Sequence, residues 1–299
     1  MILLTGASGF VGSNLLRELL KKSLETRCLL RRRFAQSALR MAKSEGVEVV
    51  QGDVTDRASI INALKDGRID GIVHLVGILV ETGKQTFKTI HVEGTRNMVE
   101  ACKEKGIRRY IHMSALGTRD GARSLYHKTK WEAEEIVRRS GLEYTIFRPS
   151  VLFGREDRFT NLFAGIMKKS PFVVIPGNGR NRMQPVFIDD LVMAMAVAVK
   201  DRGHERKTYE IGGSAELTFD EVIDSIARVI GRRRLKVHVP MSIMRPVAAV
   251  AEILLSVPPI SRDQLTMLEE DNITGDNALT EVFGIRPKGF EEGMRMYLN

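Results

Sequence analysis

Tyr126 and Lys130 stand four residues apart in Tyr126-His127-Lys128-Thr129-Lys130, a spacing that puts both on one face of a helix. A cation beside a phenol favours the phenolate and turns an inert hydroxyl into a usable proton donor or acceptor. Lys128, two positions after Tyr126, faces away. Ser114 lies twelve residues before Tyr126, at the end of an apolar run, where its hydroxyl could hydrogen-bond a substrate carbonyl or carbinol. A tyrosine and a lysine at this spacing recur in many helices. The serine, and a second motif near the N-terminus, give the set its meaning.

That second motif is Thr5-Gly6-Ala7-Ser8-Gly9-Phe10-Val11-Gly12, directly after the apolar run Ile2 to Leu4. Gly6 permits a tight turn, Gly9 lets backbone amides approach a pyrophosphate, and Gly12 lets the following helix sit close to the sheet. An anion held there meets unpaired N–H groups and the positive end of the helix dipole. After the second predicted strand come Arg31, Arg32 and Arg33, with no acid. A carboxylate at this place would hold a ribose 2′-hydroxyl, whereas guanidinium grips a 2′-phosphate. The bound dinucleotide is therefore expected to be NADP rather than NAD, with Arg31 and Arg32 as ligands. Asp53 closes the third strand and could face the adenine amino group.

These residues need a scaffold, and the hydrophobic pattern predicts one. Short apolar runs at Ile2–Leu4, Arg27–Leu30, Val47–Val50, Gly71–Val76, Arg109–Met113 and Tyr144–Phe147 alternate with amphipathic stretches. The stretches are Phe10–Lys22, Phe34–Ser44, Arg57–Lys65, Phe87–Lys105 and Tyr126–Ser140. Repeated strand–helix–strand units give an α/β fold, a Rossmann-type doubly wound parallel sheet. Asp189-Asp190 can cap a helix through Lys200, and Thr218 with Glu221 forms a capping box opening a helix to Ile230. The expected organisation is a dinucleotide-binding domain over 1–155, with 180–212 contributing, and a smaller, mostly helical substrate lobe over 156–299.

Composition narrows the classes. The 299 residues are 43% hydrophobic and 28% charged, which excludes disordered and fibrous chains. The net charge of +9 favours anionic partners, yet no reading motif or aromatic stacking platform points to nucleic acid. The six histidines form no ligand spacing, so no metal is expected, and His74 and His112 read as core packing. Cys28 and Cys102 are too few for a disulfide framework and indicate a reducing setting. No leader precedes the first strand, and no apolar run is long enough to cross a bilayer, so a cytoplasmic protein is expected. The charge run Arg155 to Arg158 reads as a solvated loop or a substrate gate.

Taken together, the motifs resemble the short-chain dehydrogenase/reductase superfamily in its extended and atypical branches. They are similar, more narrowly, to the group related to the NADPH-binding accessory subunit of respiratory complex I. The supporting text includes Thr5 to Gly12, Gly52 to Asp56, His74 to Leu79 and Ser114 to Gly117, then Thr129 to Glu132, Arg148 to Gly154 and Pro185 to Asp190. The likeness runs from residue 1 to about Ile230. It implies that Asp53 and Val54 contact adenine, that Val76 and Gly77 line the ribose side, and that Pro149 and Val151 flank the nicotinamide. Tyr126 would exchange a proton, Lys130 would hold the nicotinamide ribose, and Ser114 would orient substrate. Two departures stand out: His91 replaces a frequent asparagine, and Val76 to Leu79 lacks the alanine-rich form of sugar epimerases. The implied activity is hydride transfer at a carbonyl or carbinol carbon of an unknown small molecule. The alternative is a nucleotide-loaded sensor or assembly subunit without turnover, as a homodimer or within a larger redox complex.

Overall fold

The structure is a computed structural model that describes residues 1–31, 46–255 and 258–298. Arg32, Arg33 and the helix expected over 34–44 lie outside the described residues. Strands β1 (Ile2–Thr5), β2 (Thr26–Leu30), β3 (Val47–Gln51), β4 (Gly71–His74), β5 (Arg109–Met113) and β6 (Glu143–Pro149) pair in parallel. With a late strand, Lys207–Ile211, beside β6, they make a seven-stranded sheet, and β1 lies between β2 and β4. The chain builds outward from β1 to β3 on one side and from β4 to β6 on the other. The order therefore reverses between β1 and β4, whose last residues, Thr5 and His74, are register partners. In such sheets the crevice beyond the carboxyl ends at the reversal is where ligands bind.

The helices between these strands are α1 (Phe10–Lys21), α2 (Arg57–Ala63), α3 (Gly94–Glu104) and α4 (Leu125–Arg138). A core of Leu3, Leu29, Ile60, Ile72, Met98 and Tyr110 lies between sheet and helices. The single long helix expected over 87–105 is divided: Lys88–Glu93 is π-helical and only then does α3 begin. Side chains serve the backbone N–H groups at its start. The Phe87 N–H donates to Glu81 Oε1, and Thr86 and Thr89 exchange hydroxyl and amide bonds. Such π segments often carry functional residues, and this one carries His91.

The described chain divides into two compact units, one of Met1–Asp120, Tyr126–Arg148 and Val192–Tyr209, the other of Gly121–Leu125, Pro149–Leu191 and Glu210–Asn299. Beyond β6 the chain forms β7 (Leu152–Phe153), α5 (Phe159–Lys169), β8 (Phe172–Pro176), β9 (Arg182–Met183) and β10 (Val186–Phe187). It continues through α6 (Ile188–Lys200), β11 (the late sheet strand, Lys207–Ile211), β12 (Leu217–Thr218), α7 (Phe219–Val229), β13 (Leu235–Val239) and α8 (Met241–Leu254). Short helices follow at Arg262–Met267, Ala278–Glu281 and Phe290–Arg295. The lobe expected to be mostly helical thus also holds three two-stranded sheets, β7 with β10, β8 with β13 and β9 with β12. The capping box of Thr218 and Glu221 opens α7 as expected. Asp189 and Asp190 do not cap α6 but occupy its first turn, where the Asp190 carboxylate accepts the Lys288 N–H at 2.8 Å.

Candidate functional site

The glycine loop is shaped by steric need. Gly6 adopts φ +78°, and a Cβ on Gly12 would fall 2.1 Å from the Gly6 carbonyl oxygen, so the close packing of loop on helix admits no side chain there. Gly9 caps α1 in an extended conformation, and its N–H returns to Gly6 O at 2.9 Å. No side chain caps the helix, and its first turn has no acid. Ser13 is the first residue to bond backward, to Gly9 O. The Phe10, Val11 and Gly12 amides therefore have no partner among the described residues, next to a half-buried Ser8 and an exposed Gly9. The result is a set of bare donors at the positive end of a helix.

Arg31 follows β2 directly and is half-buried. Asp53 lies past the end of β3, where its Oδ1 accepts both the Thr55 N–H at 3.0 Å and the Thr55 hydroxyl at 2.9 Å. That bond pair builds the turn itself. Val54 is buried, its methyl packs where a Cβ on Gly94 would come, and its carbonyl accepts from Asn97 Nδ2 at 3.0 Å.

Around the end of β5 the structure gathers a second set. Ser114 is buried; its N–H donates to Phe147 O at 2.8 Å and its hydroxyl reaches Thr118 Oγ1 at 3.4 Å. One residue earlier, the Met113 carbonyl accepts from Lys130 Nζ at 2.9 Å. Burial lowers the Lys130 ammonium to about 8, against a raising pull from Glu134. Tyr126, on the same helix, is almost wholly buried and meets the edge-on rings of His91 at 5.4 Å and Phe87 at 5.9 Å. A Cβ on Gly77 would lie 3.1 Å from Lys130 Nζ and 3.5 Å from His91 Nε2, which places the glycine directly over both groups. Val76, beside it, is half-buried against the core. Pro149 is the buried last residue of β6, and Val151 is half-buried, its carbonyl accepting the Val186 N–H.

His91 belongs to this cluster although its residue type and spacing did not single it out for a role. Its Nε2 accepts the Ile78 N–H at 3.1 Å, so the proton must sit on Nδ1, which donates to Thr129 Oγ1 at 3.0 Å. Thr129 in turn donates to Tyr126 O. Burial, and then the Lys130 charge, push the imidazole down to about 2, so it stays neutral. His74 and His112 are buried and stacked at 5.8 Å, and burial pushes His74 to about 3. A further anchor was also missed. Glu134, fully buried one turn after Lys130, accepts bidentately from Arg148 of β6 at 2.7 and 2.9 Å and also pairs with Arg138, while Trp131 stacks under the Arg138 guanidinium. The charge run at 155–158 is not wholly solvated: Asp157 is buried and receives the Gly154 and Thr160 amides and the Tyr297 hydroxyl.

Comparison with known proteins agrees with this fold. The chain is 30% identical over 288 residues to the mitochondrial NADH dehydrogenase [ubiquinone] 1 alpha subcomplex subunit 9 of Arabidopsis thaliana, covering 92% of this chain and 71% of that protein. It is 26% identical over 285 residues to the mitochondrial NADH-ubiquinone oxidoreductase 40 kDa subunit of Neurospora crassa, covering 94% and 74%. In fold it matches the UDP-glucuronic acid 4-epimerase of Bacillus cereus, solved in complex with NAD, with a TM-score of 0.77 at 18% identity over 99% of this chain and 97% of that one. The model of the NAD dependent epimerase/dehydratase family matches residues 2–212, from the first strand through the edge strand β11. With bare helix amides over a glycine loop, and a match across more than two thirds of its length, the chain belongs to the NAD dependent epimerase/dehydratase family.

Proposed function

We propose that this chain binds NADP(H) and transfers hydride at a carbonyl or carbinol carbon. The observation that carries the reading is the α1 N-terminus, bare of side-chain caps and acids, beside a glycine loop that packs closely on the helix because Gly12 has no Cβ. Gly6, Ser8, Gly9 and Gly12, with the Phe10 and Val11 amides, would hold the pyrophosphate, and Asp53 and Val54 would border adenine. Arg31 and Arg32, with no acid beside them in sequence, would take the 2′-phosphate. Val76 and Gly77 would line the ribose next to Lys130. When bound, the nicotinamide supplies or accepts the hydride.

This chain's own residues handle the rest. Tyr126 would give its phenolic proton to the substrate oxygen during reduction, and take it back during oxidation. Ser114 would hydrogen-bond the same oxygen and fix its direction. Lys130, charged at neutral pH, would hold the nicotinamide ribose and favour the phenolate of Tyr126. A chain with only two cysteines, Cys28 and Cys102, both buried, suits a reducing compartment such as the cytoplasm. Among the described residues no helix is long and apolar enough to cross a membrane.

A second reading is a nucleotide-loaded accessory subunit without turnover, favoured by the relatives named as subunits of NADH dehydrogenase [ubiquinone] and NADH-ubiquinone oxidoreductase. Calorimetry with NADPH and NADH, run beside a panel of carbonyl substrates, separates the readings. Arg31→Ala/Arg32→Ala should weaken NADPH about 10- to 100-fold and leave NADH nearly unchanged, the loss of charge-assisted bonds to one phosphate. Equal losses for both would remove the NADP preference. Turnover abolished in Tyr126→Phe supports the enzyme, whereas NADPH binding with no turnover anywhere in the panel supports the accessory subunit.

A further inference from the structure

Strands β8 and β13 pair in parallel, with Phe172 opposite Leu235 and Val174 opposite Val237. These four side chains share one face of the two-stranded sheet, and each is 44% to 73% exposed. The other face is partly packed and partly polar: Val173 and Ile175 are buried, Lys236 turns to Asp220 and Asp224, and the exposed His238 meets Asp220. An outward face is ordinarily polar. This one is wholly apolar.

The chain leaves β13 through Pro240 straight into α8, which buries only Ala248. Ile243, Val247, Val250 and Leu254 recur at steps of four, three and four, a single helical stripe, and are 54% to 74% exposed. Two consecutive elements of the same unit therefore present apolar side chains to water over more surface than isolated exposed residues explain.

Charge indicates what covers them. Lys168 and Lys169 precede β8, and Arg232, Arg233 and Arg234 precede β13, so the parallel register gathers all five cations at one end of the apolar face. The Leu235 N–H bond to Pro171 O at 3.1 Å and the Arg234 bond to Met167 O at 2.6 Å fix that closeness. Lys168, Lys169 and Arg234 also lie at the C-terminal end of α5, where positive charge suits the helix dipole. Yet none of the five has an acidic partner among the described residues, while Glu252 and Glu269 on or near α8 are already paired with Arg262 and Arg245.

We infer that this face rests on an anionic lipid bilayer, with α8 lying in the interface, the β8–β13 face against the acyl boundary, and the five cations among the headgroups. A second copy meeting this face with its own would set these five cations against the same five cations. The surface is independent of the dinucleotide reading, since none of its residues is in the proposed cofactor site.

Co-sedimentation of the full chain with vesicles of phosphatidylcholine alone, and of phosphatidylcholine with phosphatidylglycerol, tests the inference. Retention is expected on the anionic vesicles only, released by raising salt. Arg232→Gln/Arg233→Gln should lower partitioning about 25-fold, since each interfacial cation is worth about fivefold. Val247→Ser/Val250→Ser, both solvent-facing, should also lower it while leaving the urea midpoint unchanged. If that pair unfolds, the arginine pair alone decides. Equal retention on neutral and anionic vesicles overturns the inference, as does retention that neither pair of substitutions changes. Absence of vesicle binding, with a concentration-dependent dimer that Val247→Ser/Val250→Ser abolishes, would assign the face to a second copy instead.

Discussion

Lys130 shows how a buried charge records itself in stability. Its folded value of about 8 lies below the ordinary lysine value of 10.5, so between those limits the unfolded chain holds a proton that the folded chain has lost. Stability must then rise with pH across that window, and the Lys130 contribution should grow by about 2 kcal/mol from pH 7.5 to 9.5. Urea unfolding of the wild type and of Lys130→Met at both values, without added dinucleotide, isolates it; parallel curves would show that the ammonium is not desolvated. His91 makes a complementary case. His91→Phe keeps a ring against Phe87 but strands the Ile78 N–H, and should cost about 2 kcal/mol. The glycines, Tyr126 and Lys130 were legible because their spacing is itself the signal. His91 was not, because its partners are a backbone amide thirteen residues away and a threonine on another helix, and no periodicity encodes either.

At the scale of elements, the first six strands and most of the helices between them could be read from alternating apolar runs. Burial on both faces of a parallel strand demands such runs. The π-helical turn at Lys88–Glu93 could not, since the apolar pattern runs through it without a break. Nor could β8 and β13, whose pairing joins segments about sixty residues apart across a stretch punctuated by Pro and Gly. The position of α4 relies on Glu134, which no local pattern marks as buried. Glu134→Gln leaves Arg148 and Arg138 without their carboxylate in a low-dielectric place, and should cost about 3 kcal/mol in chemical unfolding. Gly12→Ala should abolish dinucleotide binding measured by calorimetry, because the loop has to retreat from α1. Retained binding would mean that the loop–helix approach is dispensable.

Over the whole molecule, the chain passes between its two units several times, and the segment Val192–Tyr209 returns to the first after Pro149–Leu191 has entered the second. A fragment ending at residue 155 would lack β11 and leave β6 as an open sheet edge, a template for self-association. Expressed alone it should collect in the insoluble fraction; a soluble fragment with native far-UV dichroism would show that the edge strand is dispensable. The same strand order bears on birth at the ribosome. Translation reaches Pro149 with six strands in hand, yet the seventh begins only at Lys207, a delay of several seconds at about 5–20 residues per second. During that interval the nascent polypeptide displays an unsealed border, and co-translational helpers such as holdase chaperones have their clearest reason to attend this chain.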